Sequence, residues 1–152
     1  MNTWQRQVQD FHEKFGVSVG TDLNMDNREL RAKLILEEAV ETVAAMGYDV
    51  NASFRIPDEQ SYEASRWVDF FGTRVCAEDI VEVVDGLADL IYVALGTAVS
   101  FGVDLGPIFD EVHRTNMAKD GGATRDDGKI LKPDGWVGPD IAGILRAQAE
   151  CE

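Results

Sequence analysis

The stretch EDIVEVVDGLADLIYVALGTAVSF, residues 78–101, is the most apolar segment with helical periodicity in this chain. It predicts one long helix from about residue 77 to residue 101, ended by Gly102. Apolar side chains dominate most directions around this helix, so we expect it to be largely buried. Its acids nevertheless share one stripe about 60° wide, and they are Glu78, Glu82, Asp85 and Asp89. Because an unpaired buried carboxylate is costly, this stripe indicates solvent or a positive charge opposite it.

A second helix repeats this conflict between apolar and acidic residues. Asp26, three residues before Glu29, resembles a capping box and predicts a helix that runs from there to Gly47. The helix interrupts its apolar face with three acids, Glu37, Glu38 and Glu41. Two such helices predict a cleft between them that is lined with carboxylates.

Carboxylate oxygens at this density are typical ligands of hard divalent cations, so we expect Mg²⁺, with Mn²⁺ as the alternative. Zinc is disfavoured because the chain has only two histidines. The competing interpretation is a solvated acidic face, which is what a single EExxE motif usually marks. For Glu78 and Glu82 the alternative is complementation of the helix dipole, since both lie near the start of the long helix.

The rest of the chain is also predicted to be helical. Further helices are expected at residues 3–15, near 58–71, at 106–119 and near 141–150, with a polar loop at 120–140. In the first of these, Trp4, Phe11 and Phe15 are expected to be core residues. No segment shows the alternation of a strand. We therefore expect an all-α fold, a bundle of four to five helices that forms a single domain over residues 1–152.

Composition excludes several classes of function. The 152 residues carry a formal net charge of −14, which argues against a nucleic-acid partner. The 45% apolar content is too high for intrinsic disorder. Two cysteines without metal-ligand spacing indicate a reducing environment. No apolar run approaches the roughly 20 residues of a membrane span, so we expect a cytoplasmic protein with no membrane partner.

Several segments in this order resemble the all-α nucleoside triphosphate pyrophosphohydrolases of the MazG and phosphoribosyl-ATP pyrophosphohydrolase-like superfamily. They are QVQDFHEKFG, LILEEAVETVAAM, VEVVDGLADLIYVALGTA, VHRTNMAK and DGKILKPDGW. The resemblance implies a MazG-like architecture and Mg²⁺-dependent hydrolysis of a nucleoside triphosphate to the monophosphate and pyrophosphate. It also implies a homodimer or homotetramer.

The resemblance assigns roles to the acids. It implies that Glu37, Glu38, Glu41 and Asp89 hold the metals, and that Glu38 orients or deprotonates the attacking water. The second motif of this superfamily is usually ExxD. If Asp89 matches its aspartate, Gly86 stands where the glutamate is expected, although Glu82 and Asp85 satisfy ExxD literally. We keep Asp85 and Asp89 as ligands and Glu82 as a further candidate.

The resemblance also implies contacts between the substrate and residues outside the acidic helices. Lys119 would neutralise the leaving pyrophosphate and Asn116 would donate a hydrogen bond, with Lys129 and Lys132 as further cations. Asn116 and Lys119 are also typical of a helix C-terminus, which is the structural alternative. Tyr92 continues the acidic stripe, so we expect it to line the site.

Three functions stay open on the sequence alone. The first is a pyrophosphohydrolase of standard or modified nucleoside triphosphates that cleans the nucleotide pool. The second is the phosphoribosyl-ATP pyrophosphohydrolase of histidine biosynthesis, which cleaves the same type of bond. The third is a non-enzymatic acidic adaptor that binds a basic partner protein.

Overall fold

The structure, a computed structural model, describes residues 1–20, 28–51, 71–126 and 128–150. Its elements in chain order are α1 (Thr3–Phe15), α2 (Arg28–Ala45), β1 (Tyr48–Asn51), β2 (Phe71–Arg74), α3 (Ile80–Phe101), α4 (Leu105–Met117) and α5 (Ile141–Ala149). Five helices against two short strands in these residues confirm the all-α fold class.

The expectation of no strand at all is wrong. β1 and β2 pair antiparallel, with Tyr48 opposite Arg74 and Asn51 opposite Phe71. Four residues are too few for a convincing alternation, and the pairing joins segments that are distant in sequence. The helix expected near 58–71 lies outside the described residues up to residue 70, and Phe71 belongs to β2.

Side-chain caps and left-handed glycines set the helix ends. Gly16 and Gly102 follow α1 and α3 with φ of 67° and 71°, a conformation that glycine adopts without a steric penalty. Asp104 Oδ1 accepts a hydrogen bond from the Gly106 amide at 2.9 Å, so α4 begins at Leu105. The proposed capping box at Asp26 lies outside the described residues.

The chain forms two compact units, Met1–Asn27 with Leu95–Glu152 (unit 1) and Arg28–Ala94 (unit 2). The core of unit 1 contains Val8, Leu95 and Val99. Beside them Gln5 is fully buried, and its amide donates to the Val103 carbonyl and accepts from the Leu105 amide. The single domain over 1–152 stays a prediction.

Two expectations about burial are wrong. The side of α1 that faces the core carries Gln5, Val8 and His12, which leaves Trp4, Phe11 and Phe15 exposed by 64%, 42% and 59%. The inward-facing Gln5 provides hydrogen-bond partners for the Val103 carbonyl and the Leu105 amide at the start of α4. In this orientation of α1 the three aromatic residues face outward. The first half of α3 is likewise exposed rather than buried, with Val81 at 70% and Val84 at 57%. An apolar sequence does not specify which sides of a helix pack against other parts of the same chain.

No single helix in the described ranges is long and apolar enough to cross a membrane. The bent pair of α3 and α4 passes that test jointly, on length and composition only.

Glu111 connects α4 to the start of α5. Its carboxylate accepts two hydrogen bonds from the Arg114 guanidinium, at 2.7 and 2.8 Å, and one from the Asp140 amide at 3.1 Å. These donors, led by Arg114, lower the pKa of Glu111 from 4.5 to about 2. Asp140 in turn caps α5 by accepting from the Gly143 amide.

Glu111→Gln is expected to lower the melting temperature at neutral pH, because the charged acceptor of this junction is lost. Since folding lowers the pKa of Glu111, its contribution is complete above pH 4.5 and disappears as the pH falls towards 2. The difference in melting temperature between wild type and variant should therefore shrink over this range in thermal denaturation. Asp110→Asn, at the neighbouring exposed position, is the control. A difference that does not depend on pH would contradict this explanation.

Candidate functional site

The candidate site lies in unit 2, where α2 and α3 pack closely through Gly86 and Thr42. A Cβ atom at position 86 would lie only 2.6 Å from Thr42 Oγ1 and 3.3 Å from Thr42 Cα. Thr42 is 4% exposed, and its hydroxyl donates to the Glu38 carbonyl at 2.6 Å. The two helices can approach this closely because glycine has no side chain. This contact explains why glycine replaces the expected glutamate, because the space at position 86 does not accommodate a glutamate side chain.

The close packing brings carboxylates of both helices around Glu38. Glu38 is half-buried, which raises the pKa of its carboxyl group. Negative charges raise this pKa further, and they come, in decreasing order, from Asp89, Glu41, Glu37 and Asp85. Acids from α2 and α3 therefore both act on Glu38. The four neighbours are themselves exposed to solvent.

As a donor set, this carboxylate cluster (Glu37, Glu38, Glu41, Asp85 and Asp89) fits a hard divalent cation, because it offers only oxygen ligands and carries unbalanced negative charge. In the described parts of the chain, no three His, Cys, Asp or Glu side chains converge closely enough to form a metal site as they stand.

The remaining acids of the predicted stripe have structural partners outside this cluster. Glu78 precedes α3 and forms an ion pair with Arg74 of β2. Glu82 lies in the first turn of α3, where a negative charge complements the helix dipole. Its amide also faces the capping carboxylate of Asp79 at 3.4 Å. Tyr92 is 39% exposed, one turn beyond Asp89 on the same helix.

Apart from Tyr92, which lies on α3 in unit 2, the expected substrate-binding residues lie in unit 1, at the end of α4 and in the loop that follows. The Lys119 amide donates to the Asn116 carbonyl at 3.2 Å, so the backbones of these two residues close the helix. The Lys119 side chain reaches the Trp136 ring, with its Nζ atom 5.7 Å from the ring centroid. The Lys132 Nζ atom lies 4.8 Å from the same centroid. The Lys129 carbonyl accepts from the Arg125 amide within the loop.

Sequence reasoning assigned no role to Thr42 or Trp136. Thr42 is the i+4 neighbour of Glu38, and only the packing against Gly86 reveals its importance. Trp136 ends the segment DGKILKPDGW, and the available signal was an aromatic residue in a polar loop that contains lysines.

A comparison with protein families finds a match over residues 8–116 to the family described as phosphoribosyl-ATP pyrophosphohydrolase. The match confirms the resemblance and includes both acidic helices and Asn116. It ends before Lys119, Lys129, Lys132 and Trp136. Among curated proteins, no significant match was found.

Proposed function

Because this chain belongs to the phosphoribosyl-ATP pyrophosphohydrolase family, and is therefore a hydrolase of phosphoric anhydride bonds in nucleotides, we propose that it cleaves nucleoside triphosphates to monophosphates and pyrophosphate. The observation that carries the proposal is the family match, and the close approach of α2 and α3 at Gly86 supports it by bringing four acids near Glu38, whose pKa they raise. A carboxyl group in such surroundings is a typical acid–base catalyst, and its neighbours are typical ligands of Mg²⁺ or Mn²⁺.

In this mechanism Glu37, Glu41, Asp85 and Asp89 would hold the cations. A bound cation would supply the positive charge that the phosphate oxygens and the attacking water require. Glu38 accepts a proton from that water while the water oxygen forms a bond to the α-phosphorus. The bond between the α-phosphorus and the bridging oxygen breaks, and pyrophosphate leaves with the electron pair. The raised pKa makes Glu38 a stronger base than an ordinary glutamate, which favours acceptance of a proton.

Phosphoribosyl-ATP is the second candidate substrate, and the description of the matched family favours it. Its cleavage uses the same bond type and the same carboxylates, so the acidic helices support both substrates equally. An adaptor function is less well supported, because membership of a hydrolase family provides no reason for it.

A substrate panel tests the proposal directly. Pyrophosphate release is measured from standard and modified nucleoside triphosphates and from phosphoribosyl-ATP, with Mg²⁺, with Mn²⁺ and with EDTA. We expect release from at least one nucleoside triphosphate that EDTA abolishes. Release from phosphoribosyl-ATP alone would replace the first substrate class by the second. No release from any of them with either cation would overturn the enzymatic proposal.

We propose further that the protein self-associates as a homodimer or homotetramer. The support is the exposed apolar side of α3, where Val81, Val84, Leu87 and Ile91 are 44–70% exposed. An apolar stretch of this kind is a typical interface between subunits.

A further inference from the structure

One side chain, that of Thr42, touches both helices of the candidate site at their close contact. A Cβ atom added at Gly86 of α3 would lie 2.6 Å from Thr42 Oγ1, so this oxygen occupies the space beside the glycine. The same oxygen donates a hydrogen bond to the Glu38 carbonyl, one turn earlier on α2, at 2.6 Å. Thr42 Oγ1 therefore lies between Gly86 and the turn of α2 that contains Glu38.

The two helices run antiparallel at this contact. The amide of Asp79, just before α3, donates to the Ala45 carbonyl at the end of α2 at 3.0 Å. Thr42 precedes Ala45 on α2, and it meets Gly86, which follows Asp79 on α3. Earlier residues of α2 therefore lie opposite later residues of α3.

This arrangement brings Glu38 opposite an acid of α3. Glu38 lies four residues before Thr42 and Asp89 lies three residues after Gly86, so each is about one turn from the contact. Burial has the largest effect in raising the pKa of Glu38, and Asp89 has the largest effect among the four acids. A small shift at the contact therefore changes the distance between the Glu38 and Asp89 side chains.

The hydroxyl of Thr42 is not needed to fill the space between the helices. Thr42 is 4% exposed, and valine has the same shape without the polar group. In a regular α-helix the Glu38 carbonyl already pairs with the amide of residue 42, and a threonine hydroxyl that bonds to the same carbonyl slightly destabilises the helix. Stability alone therefore favours valine at position 42, and the hydroxyl is better explained by a role in the site.

We propose that Thr42 is a positioning residue, whose hydroxyl fixes the turn of α2 that contains Glu38 against Gly86 of α3. The inference rests on the proposed function for the role of Glu38, whereas the contact itself does not depend on it. Thr42 acts through Glu38 and the neighbouring acids of the same turn. Without the hydroxyl, this turn can move relative to α3, and catalytic geometry is sensitive to displacements of a fraction of an ångström.

Two conservative substitutions separate the hydroxyl from the methyl group of Thr42. With a substrate that the wild type hydrolyses, Thr42→Val should lower kcat about tenfold and change KM little, because it removes the hydrogen bond and keeps the shape. Thr42→Ser keeps the hydroxyl, so its kcat should stay close to wild type. The melting temperatures should follow the opposite order, because Thr42→Ser deletes a buried methyl group and Thr42→Val does not. A threonine that only supports the fold would lose activity in the order of stability.

Binding of Mn²⁺ without nucleotide, measured by calorimetry, provides a second readout that needs no turnover. The carboxylates next to Glu38 move with its turn, so Thr42→Val should weaken Mn²⁺ binding about tenfold, whereas Thr42→Ser should bind Mn²⁺ as the wild type does. Thr115→Val is the matched control. Thr115 is 2% exposed, and its hydroxyl donates to the Val112 carbonyl at 3.0 Å on α4, which contains no acid of the carboxylate cluster.

Wild-type kcat and Mn²⁺ affinity in Thr42→Val would overturn the inference, as would an equal loss in Thr42→Ser or in Thr115→Val. If Thr42→Val does not fold, Thr42→Ala replaces it with the same expectations for kcat and Mn²⁺ binding. The expected Mn²⁺ pattern without hydrolysis of any nucleotide by the wild type would retain Thr42 as a positioning residue of the carboxylate cluster and refute the proposed function. A wild type that neither binds Mn²⁺ nor hydrolyses a nucleotide would overturn both.

Discussion

Replacing Glu38 by Gln is expected to lower the rate of pyrophosphate release about 100- to 10,000-fold, the usual contribution of a general base. The substitution preserves the shape of the side chain but removes its ability to accept a proton. Partial burial of Glu38 and the negative charges of four nearby carboxylates raise the pKa of its carboxyl group, which favours proton acceptance by this residue. The measurement is kcat for the best substrate of the panel at saturating Mg²⁺.

Glu29→Gln is the matched control for this prediction. Glu29 lies in the first turn of the same helix and forms an exposed ion pair with Lys33 at 2.6 Å. Its replacement should leave kcat close to wild type, because an exposed ion pair of this kind contributes little. If Glu38→Gln retained more than about a tenth of the wild-type kcat, Glu38 would not be the general base.

Gly86→Ala is expected to destabilise the protein and to reduce activity as well. The new Cβ atom would lie 2.6 Å from Thr42 Oγ1, so α2 and α3 must separate or Thr42 must move. Overpacking of this kind costs about 1–3 kcal/mol, and it exceeds the up to 1 kcal/mol that alanine gains over glycine in a helix. Activity should fall because the Thr42 hydroxyl is hydrogen-bonded to the Glu38 carbonyl.

A double-mutant cycle identifies the cause of this loss. Combining Gly86→Ala with Thr42→Ala removes the hydroxyl that the new methyl group meets. The double variant should then be more stable than the sum of the two single effects predicts, by at least about 0.5 kcal/mol. Chemical denaturation measures all four proteins. Strict additivity, or a Gly86→Ala variant more stable than wild type, would show that the contact between Gly86 and Thr42 does not limit how closely α2 and α3 approach.

The positions of the helices follow almost entirely from local sequence. Residues 3–15 were expected to be a helix and α1 has these bounds, while α3 ends where Gly102 was expected to end it. Periodicity and terminal glycines are properties of neighbouring residues, so they can be read without knowledge of the fold. The strand pair was missed because its hydrogen bonds join residues 48–51 to residues 71–74.

The candidate site likewise has features that follow from local sequence and features that depend on tertiary packing. Spacing and resemblance identified the acids of the carboxylate cluster, and their role as metal ligands stays a prediction. The raised pKa of Glu38, by contrast, depends on the packing of α3 against α2. The structural partners of Glu78 and Glu82 also became visible only with β2 and the start of α3 in place. The spacing of acids along the sequence does not specify which of them lie close together in the folded protein.

By itself, then, the sequence determined the all-α class, the approximate positions of the described helices and the family, because all three depend on the order and spacing of residues along the chain. Only the tertiary structure decided why position 86 must be glycine, which side of α1 is buried, and that Lys119 and Lys132 share Trp136. Each of these depends on a contact between residues far apart in sequence. Such contacts are selected by packing and by the pairing of buried polar groups, which local periodicity does not encode.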